Sequence, residues 1–180
     1  MTTDDEALLA RARANDTQAL GALYDAYAGR IYGYLFRRVS SAQVAEDLTA
    51  DVFVKVLEAL ESGRPWHTSF RAWLYRIAHN LIANWYRDRG RKPLVSLDAL
   101  VIGSPSEEHP EAVAQEVDDR QLLQELIAEI DPLRQELLVL KFTEGLSNAE
   151  IGAILGRSEG AIKSLYHRTL LQLREQFRKR

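Results

Sequence analysis

Apolar residues return along this chain at intervals of three and four for most of its length. No stretch alternates apolar with polar residues in the manner of a strand. The spacing therefore predicts an all-α protein. A first helix runs from Asp4 to Ala14. A second begins near Asp16 or Thr17 and continues to Val39, with Leu20, Leu23, Tyr24, Tyr27, Ile31, Tyr34 and Leu35 on one face. Ser41 caps a third helix, in which Val44, Leu48, Val52, Val56 and Leu60 turn away from an acidic face of Glu46, Asp47 and Asp51. After a break at residues 61–68, a fourth runs from Ser69 to Arg89, with Phe70, Trp73, Leu74, Ile77, Leu81 and Ile82 directed inward. Periodicity then lapses over residues 89–116, which hold three of the five prolines and read as a linker. Its apolar pieces, among them Leu94, Val95, Leu97 and Leu100, argue against a purely solvated tether. Helices resume near Val117 and run to Ile130, and Pro132 suits the first turn of another that ends near Phe142.

Residues 147–174 close the pattern with a helix-turn-helix. Ser147 caps the first helix, and Glu150 three residues later completes a capping box. Ile151, Ile154 and Leu155 form the apolar stripe, and Gly152 is small where the second helix crosses close by. Gly156 falls where the chain turns and needs positive φ, and Ser158 caps the next helix. Ile162, Leu165, Tyr166 and Leu170 give that helix its expected buried side. Arg157, Glu159, Lys163, Ser164, His167 and Arg168 are left on polar surface able to reach phosphates and base edges.

The chain of 180 residues has a formal net charge of −3, which argues against nucleic-acid binding until the charge is resolved by segment. Residues 93–117 hold no Lys or Arg but five acids: Asp98, Glu107, Glu108, Glu111 and Glu116. Basic residues concentrate in 70–92, with six against one acid, and in 157–180, with seven against two. Two basic patches divided by an acidic strip carry more information than the total. Cysteine is absent, which excludes a disulfide framework and a thiolate metal site. The N-terminus is polar with early acids, and no window approaches a membrane span, so a cytoplasmic protein without membrane insertion is expected.

The first basic patch is interleaved with aromatics. Arg76, Asn80, Asn84 and Arg87 recur at helical spacing and share one exposed face, among Trp73, Trp85 and Tyr86. Arg71 opens the same helix, and the loop before it supplies Arg64, Trp66 and His67. Aromatics stack on unpaired bases while cations track phosphates, the combination that binds single-stranded nucleic acid. Trp73 is expected to be core, whereas Trp66, in a loop beside Pro65, is a candidate for exposure. Catalysis finds no support. The four histidines are scattered, no metal-ligand spacing appears, and there is neither a glycine-rich phosphate loop nor a nucleophile elbow. No cofactor or metal is expected.

DLTADVFVKVLEAL (47–60), FRAWLYRIAHNLIANWYRDRGR (70–91) and residues 131–174, with the acidic linker between them, resemble a bacterial RNA polymerase sigma factor of the extracytoplasmic function (ECF) type. The resemblance covers residues 7 to 175. It implies two small helical domains, a region 2 bundle over 1–92 and a region 4 helix-turn-helix over 118–180, joined by the linker 93–117. Region 2 would dock on the polymerase core and melt the −10 element, and region 4 would read the −35 element as duplex. By position, Asp47, Asp51, Phe53 and Lys55 lie in the block that docks on the clamp helices of the largest polymerase subunit. The loop from Ser62 to Ser69 corresponds to the loop that captures a flipped −10 base. Arg71, Arg76, Asn80, Asn84 and Arg87 fall on or beside the helix that reads the −10 strand, and the six polar residues from Arg157 to Arg168 on or beside the −35 recognition helix. The linker corresponds to the segment that threads the polymerase cleft, and a solvated acidic tether is an equal reading of it. Further partners implied are the flap of the second-largest subunit, promoter DNA and an anti-sigma factor.

Two departures limit the carry-over. Leu165 stands where many relatives have Arg, so −35 specificity does not transfer, and the loop sequence Pro65-Trp66-His67 is unusual, so neither does the preferred −10 base. The alternative is an autonomous helix-turn-helix regulator. Such a protein would be expected to carry a sensing or dimerisation domain where this chain has its aromatic-basic face.

Overall fold

The computed structural model describes residues 3–63, 66, 69–90 and 121–180, and all regular structure among them is helical. The linker 93–117, Arg64 and His67 lie outside the described residues. The chain divides into two compact units. The N-terminal one holds α1 (Thr3–Arg13), α2 (Thr17–Val39), α3 (Ala42–Glu61) and α4 (Phe70–Asp88). The C-terminal one holds α5 (helical over 121–129), α6 (Pro132–Leu138), a π-helical turn at Val139–Thr143, most of α7 (Asn148–Leu155) and α8 (Glu159–Phe177).

Local chemistry sets the helix ends of the N-terminal unit. Asn15 takes a left-handed conformation, φ 59°, at the end of α1, an arrangement Asn tolerates better than most residues. Asp16 then caps α2 by accepting hydrogen bonds from the Gln18 and Ala19 amides at 2.9 and 3.3 Å. Arg11 Nε donates to the same carboxylate at 2.7 Å. This hydrogen bond, followed by that from the Ala19 amide, holds the Asp16 pKa below the usual carboxylate value. Ser41 and Ser69 cap α3 and α4 through the Val44 and Ala72 amides.

The core of this unit is built from Leu23, Ile31, Tyr34 and Leu35 of α2, Leu48, Val52, Val56 and Leu60 of α3, and Phe70, Leu74, Tyr75, Ile82 and Tyr86 of α4. Tyr24, expected inward, is instead exposed, its ring lying 4.7 Å from that of Phe53. A buried cation completes the packing of α2. Arg38 is 5% exposed, donates to the Tyr34 carbonyl at 2.8 Å and stacks its guanidinium 3.7 Å from the centroid of the Tyr34 ring. The Tyr86 hydroxyl donates to the Arg38 carbonyl from α4, tying the two helices together.

In the C-terminal unit Leu126, Ile127, Ile130, Leu138, Val139 and Leu173 form the core, with Leu122, Leu123 and Tyr166 against it. Gln135 Nε2 donates to the carbonyls of Ile127, Ala128 and Ile130 at 3.0–3.2 Å, satisfying the C-terminal end of α5. The single helix expected from Pro132 to Phe142 is α6 followed by the wider π turn, closed by the Glu144 amide on the Val139 carbonyl at 3.1 Å. The widened turn accompanies burial of five successive residues, Glu136 to Leu140, which a regular α-helix would spread around its circumference. In α8 the inward stripe is Ile162, Tyr166, Thr169 and Leu173, not the expected one ending on Leu170. Thr169 satisfies its buried hydroxyl on the Leu165 carbonyl at 2.8 Å, which admits a polar residue to the core and turns Leu170 outward.

Candidate nucleic-acid and docking surfaces

Inward packing of Phe70, Leu74, Tyr75, Ala78, Ile82 and Tyr86 fixes the rotation of α4. Arg76, Asn80, Asn84 and Arg87, spaced four, four and three residues apart, are accordingly all exposed along one strip. Two cations at its ends and two amides between them have the chemistry to meet phosphates and the paired donor–acceptor groups of base edges. Arg87 lies 4.0 Å from Asp88 with both side chains largely in water, a pairing too weak to withdraw it from a ligand. Arg71 is half-buried and already engaged, so it stands apart from the open strip. Trp85 is half-buried beside the strip, with the Arg89 guanidinium 4.4 Å from its ring centroid.

Trp66 corrects the sequence reading. Its side chain is 4% exposed, with ring centroids of Phe70 and Trp73 at 4.6 and 5.5 Å and the Arg13 guanidinium 4.7 Å away. The ring is occupied by protein, so stacking on a base would require it to leave this seat. Lone loop tryptophans are hard to place from sequence, because burial here depends on two aromatics of α4 and one cation of α1.

On α3 the exposed residues Asp47, Asp51 and Glu58 share a face with Val54, while Lys55 and Leu57 flank it. Phe53 is rotated toward α2, half-buried against Tyr24. Val54 and Leu57, 51% and 46% exposed, were missed by the sequence reading. The signal was present: both are apolar yet fall outside the stripe Leu48, Val52, Val56 and Leu60. An apolar pair ringed by carboxylates and a lysine is the make-up of a protein–protein contact.

The helix-turn-helix forms as its residue types dictate. The Ser147 hydroxyl accepts from the Glu150 amide at 3.2 Å, and the Glu150 carboxylate accepts from the Ser147 amide at 2.9 Å. Gly156 adopts φ 65°, and the Ser158 hydroxyl accepts from the Ala161 amide at 3.2 Å. Arg157, Glu159, Lys163, Ser164, His167 and Arg168 are all exposed on the turn and the N-terminal half of α8. Arg168 Nε rests on the Ser164 carbonyl at 3.3 Å, leaving other guanidinium donors to face outward. Leu165 is half-buried. Farther along, Leu170, Leu171 and Phe177 are exposed, and α5 and α8 frame an apolar hollow lined by Leu123, Leu173, Arg174, Phe177 and Arg178.

Comparison with known proteins follows the same division. A family model described as Sigma-70 region 2 matches residues 23–92, and one described as Sigma-70, region 4 matches residues 120–173. The RNA polymerase sigma factor YlaC of Bacillus subtilis is 35% identical over 159 residues, covering 87% of this chain and 91% of that protein. The ECF RNA polymerase sigma factor SigW of the same organism is 30% identical over 176 residues, 92% of each chain. The ECF RNA polymerase sigma factor BldN of Streptomyces coelicolor is 33% identical over 166 residues, and the match spans 63% of its length. Among solved structures, CnrH in complex with the cytosolic domain of CnrY aligns with a TM-score of 0.62 at 24% identity, covering 95% of both chains. The sigma factor RpoE of Bartonella quintana, solved with the anti-sigma factor NepR, aligns at 0.59 and 22% identity, covering 88% of this chain and 96% of that one. Both share the fold.

Proposed function

The chain belongs to the ECF sigma factors, and from that premise we propose that it binds the RNA polymerase core and directs it to particular promoters. Residues 118–180 read the −35 element as duplex, residues 1–92 melt the −10 element and hold its exposed strand, and 93–117 join the two. The observation that carries this reading is the pair of open polar faces. One is the Arg76–Asn80–Asn84–Arg87 strip of α4, the other the Lys163–Ser164–His167–Arg168 face of α8, each in its own unit.

Opening a promoter unstacks bases at a cost of a few kcal/mol per step. A strip that meets freed bases with Asn amides while Arg76 and Arg87 neutralise phosphates offsets part of that cost. Arg64, His67 and the half-buried Arg71 complete this set by sequence position. Duplex sequence is instead read in the major groove, where Arg and Lys donate to guanine, and the exposed carboxylate of Glu159 suits cytosine as an acceptor. Asp47, Asp51 and Lys55, with Val54, Leu57 and the Tyr24–Phe53 pair, form the surface for the clamp helices. The exposed apolar residues of α8 suit the polymerase flap. An anti-sigma factor, the partner class of RpoE in its complex with NepR, would act by covering these polymerase-binding surfaces.

Transcription in vitro with purified core on a genomic fragment library tests the reading. Start sites that appear only when the protein is added are expected; their absence would defeat it. Binding to a recovered promoter should require core, whereas an autonomous regulator binds unaided.

A further inference from the structure

The helix-turn-helix at 147–174 holds three glycines, and the chain itself accounts for two of them. A Cβ on Gly152 would lie 2.6 Å from the Arg157 carbonyl oxygen, and Gly156 turns the chain at φ 65°. Gly160 has neither reason. It lies in the first turn of α8, its φ is not left-handed, and nothing stands within 4 Å of a Cβ built on it. Glycine there also weakens the helix relative to alanine or leucine. Gly21 and Gly29 of α2 are equally open, but the setting of Gly160 is different. Lys163, Ser164 and His167 follow it at three, four and seven residues, so the exposed Gly160 lies beside them on the polar face of α8.

We propose that Gly160 determines −35 specificity by what it lacks: with no side chain there, the backbone of α8 comes close enough to the duplex for Ser164, His167 and Arg168 to reach base edges. Its role rests on the assignment of α8 to the −35 duplex. A Cβ projects about 1.5 Å from its Cα. Base-edge hydrogen bonds are about 2.9 Å long and are lost beyond about 3.5 Å, so moving α8 outward by even half of that projection breaks them. The attraction of Lys163 and Arg168 to phosphates acts over about 8 Å at physiological salt and survives the same retreat. A side chain at this position therefore removes sequence reading and spares general attraction to DNA.

The test uses full-length protein with core polymerase, on a promoter recovered from the genomic library and on the same fragment with its −35 element scrambled. Gly160→Leu should weaken binding to the intact promoter about tenfold or more, the scale of one base-edge contact, and Gly160→Ala about threefold. Binding to the scrambled fragment should change by less than about twofold, and the slope of log affinity against log salt should stay that of the wild type. Both variants should unfold in urea at or above the wild-type midpoint, because leucine and alanine form helix better than glycine, so lost folding does not explain lost reading. Should Gly160→Leu unfold earlier, Gly160→Ala decides alone. Lys163→Ala with Arg168→Ala is the reference for the face. If that pair weakens promoter binding while the Gly160 variants leave discrimination intact, or weaken both fragments equally, the role of Gly160 is refuted and −35 reading stands. If neither the pair nor the Gly160 variants alter promoter binding, −35 reading by α8 fails and the role of Gly160 fails with it.

Discussion

Replacing Gly152 with alanine probes the geometry on which duplex reading depends. A Cβ at this position would lie 2.6 Å from the Arg157 carbonyl oxygen and 3.5 Å from the Glu159 amide nitrogen and the Ser158 carbonyl carbon. Favourable contact between non-bonded heavy atoms begins near 3.5 Å, so the first of these is about 0.9 Å too short. Both sides of the clash are backbone, and neither has a rotamer to change. The Arg157 amide is already committed to the Gly152 carbonyl at 2.9 Å, and the next residue, Ser158, caps α8. Relief therefore requires the turn to open at the expense of one of these bonds. Overpacking costs about 1–3 kcal/mol, and breaking a turn hydrogen bond or cap adds about 1. Alanine recovers about 1 through its helix propensity. The net destabilisation is about 1–3 kcal/mol, and what remains folded presents α8 at an altered angle.

Gly160 is the matched control, since nothing lies within 4 Å of a Cβ built there. Gly160→Ala should stabilise by up to about 1 kcal/mol. Urea unfolding followed by far-UV circular dichroism reports both units, whereas all three tryptophans, Trp66, Trp73 and Trp85, precede residue 93 and report the N-terminal unit alone. Gly152→Ala should shift the dichroism transition to lower urea and leave the tryptophan transition in place. Amide exchange in 147–174 should rise in parallel. Unfolding of Gly152→Ala at the wild-type midpoint or above, with the slope unchanged, would refute the argument from the close approach.

Lys163→Ala with Arg168→Ala should weaken promoter binding by the holoenzyme and reduce the slope of log affinity against log salt by about 1 for each phosphate no longer neutralised, with core binding intact; filter binding across a salt series checks this. Arg38→Ala should destabilise the N-terminal unit by about 2 kcal/mol, the value of a desolvated cation–aromatic contact, read as an earlier tryptophan transition. Asp16, whose folded pKa is depressed, stabilises the fold above its unfolded pKa, and that contribution disappears as pH falls through the folded value. Arg11→Ala should raise the Asp16 midpoint toward the ordinary carboxylate value in an NMR titration, because the Arg11 hydrogen bond is the largest cause of the shift.

What the sequence discloses well here is whatever a short stretch decides for itself. Ser147, Glu150, Gly156 and Ser158 each satisfy or turn backbone within four residues, and the structure has all four in those roles. The strip of α4 was legible for a related reason: its opposite face is so apolar that only one rotation of the helix buries it. Less was readable where partners are distant. Trp66 is buried by residues of α1 and α4, the π turn after Leu138 leaves no periodic trace, and the rotation of α8 hinges on Thr169 bonding its own helix. Val54 and Leu57 fall outside the inward stripe, and the exposed apolar pair they form was legible in the sequence for that reason.

Charge distribution gives these surfaces a common logic. A net charge of −3 offers little long-range attraction to DNA, yet 157–180 carries seven basic residues against two acidic ones and 70–92 carries six against one. On the function proposed, each face alone would grip DNA weakly and with salt sensitivity, because such a grip is largely counterion release. Two weak contacts on one chain become a strong one only when both targets are presented within reach, since the second contact then forms at the effective concentration set by the connection. Polymerase core can supply that presentation by binding the α3 face and the apolar end of α8 together. On that reading the acidic balance of the remaining chain would suppress binding to arbitrary DNA before core is engaged. Neutralising Glu107, Glu108 and Glu111 together should therefore raise core-independent DNA affinity more than it raises promoter-specific initiation. Equal gains in the two would separate this acidic segment from specificity.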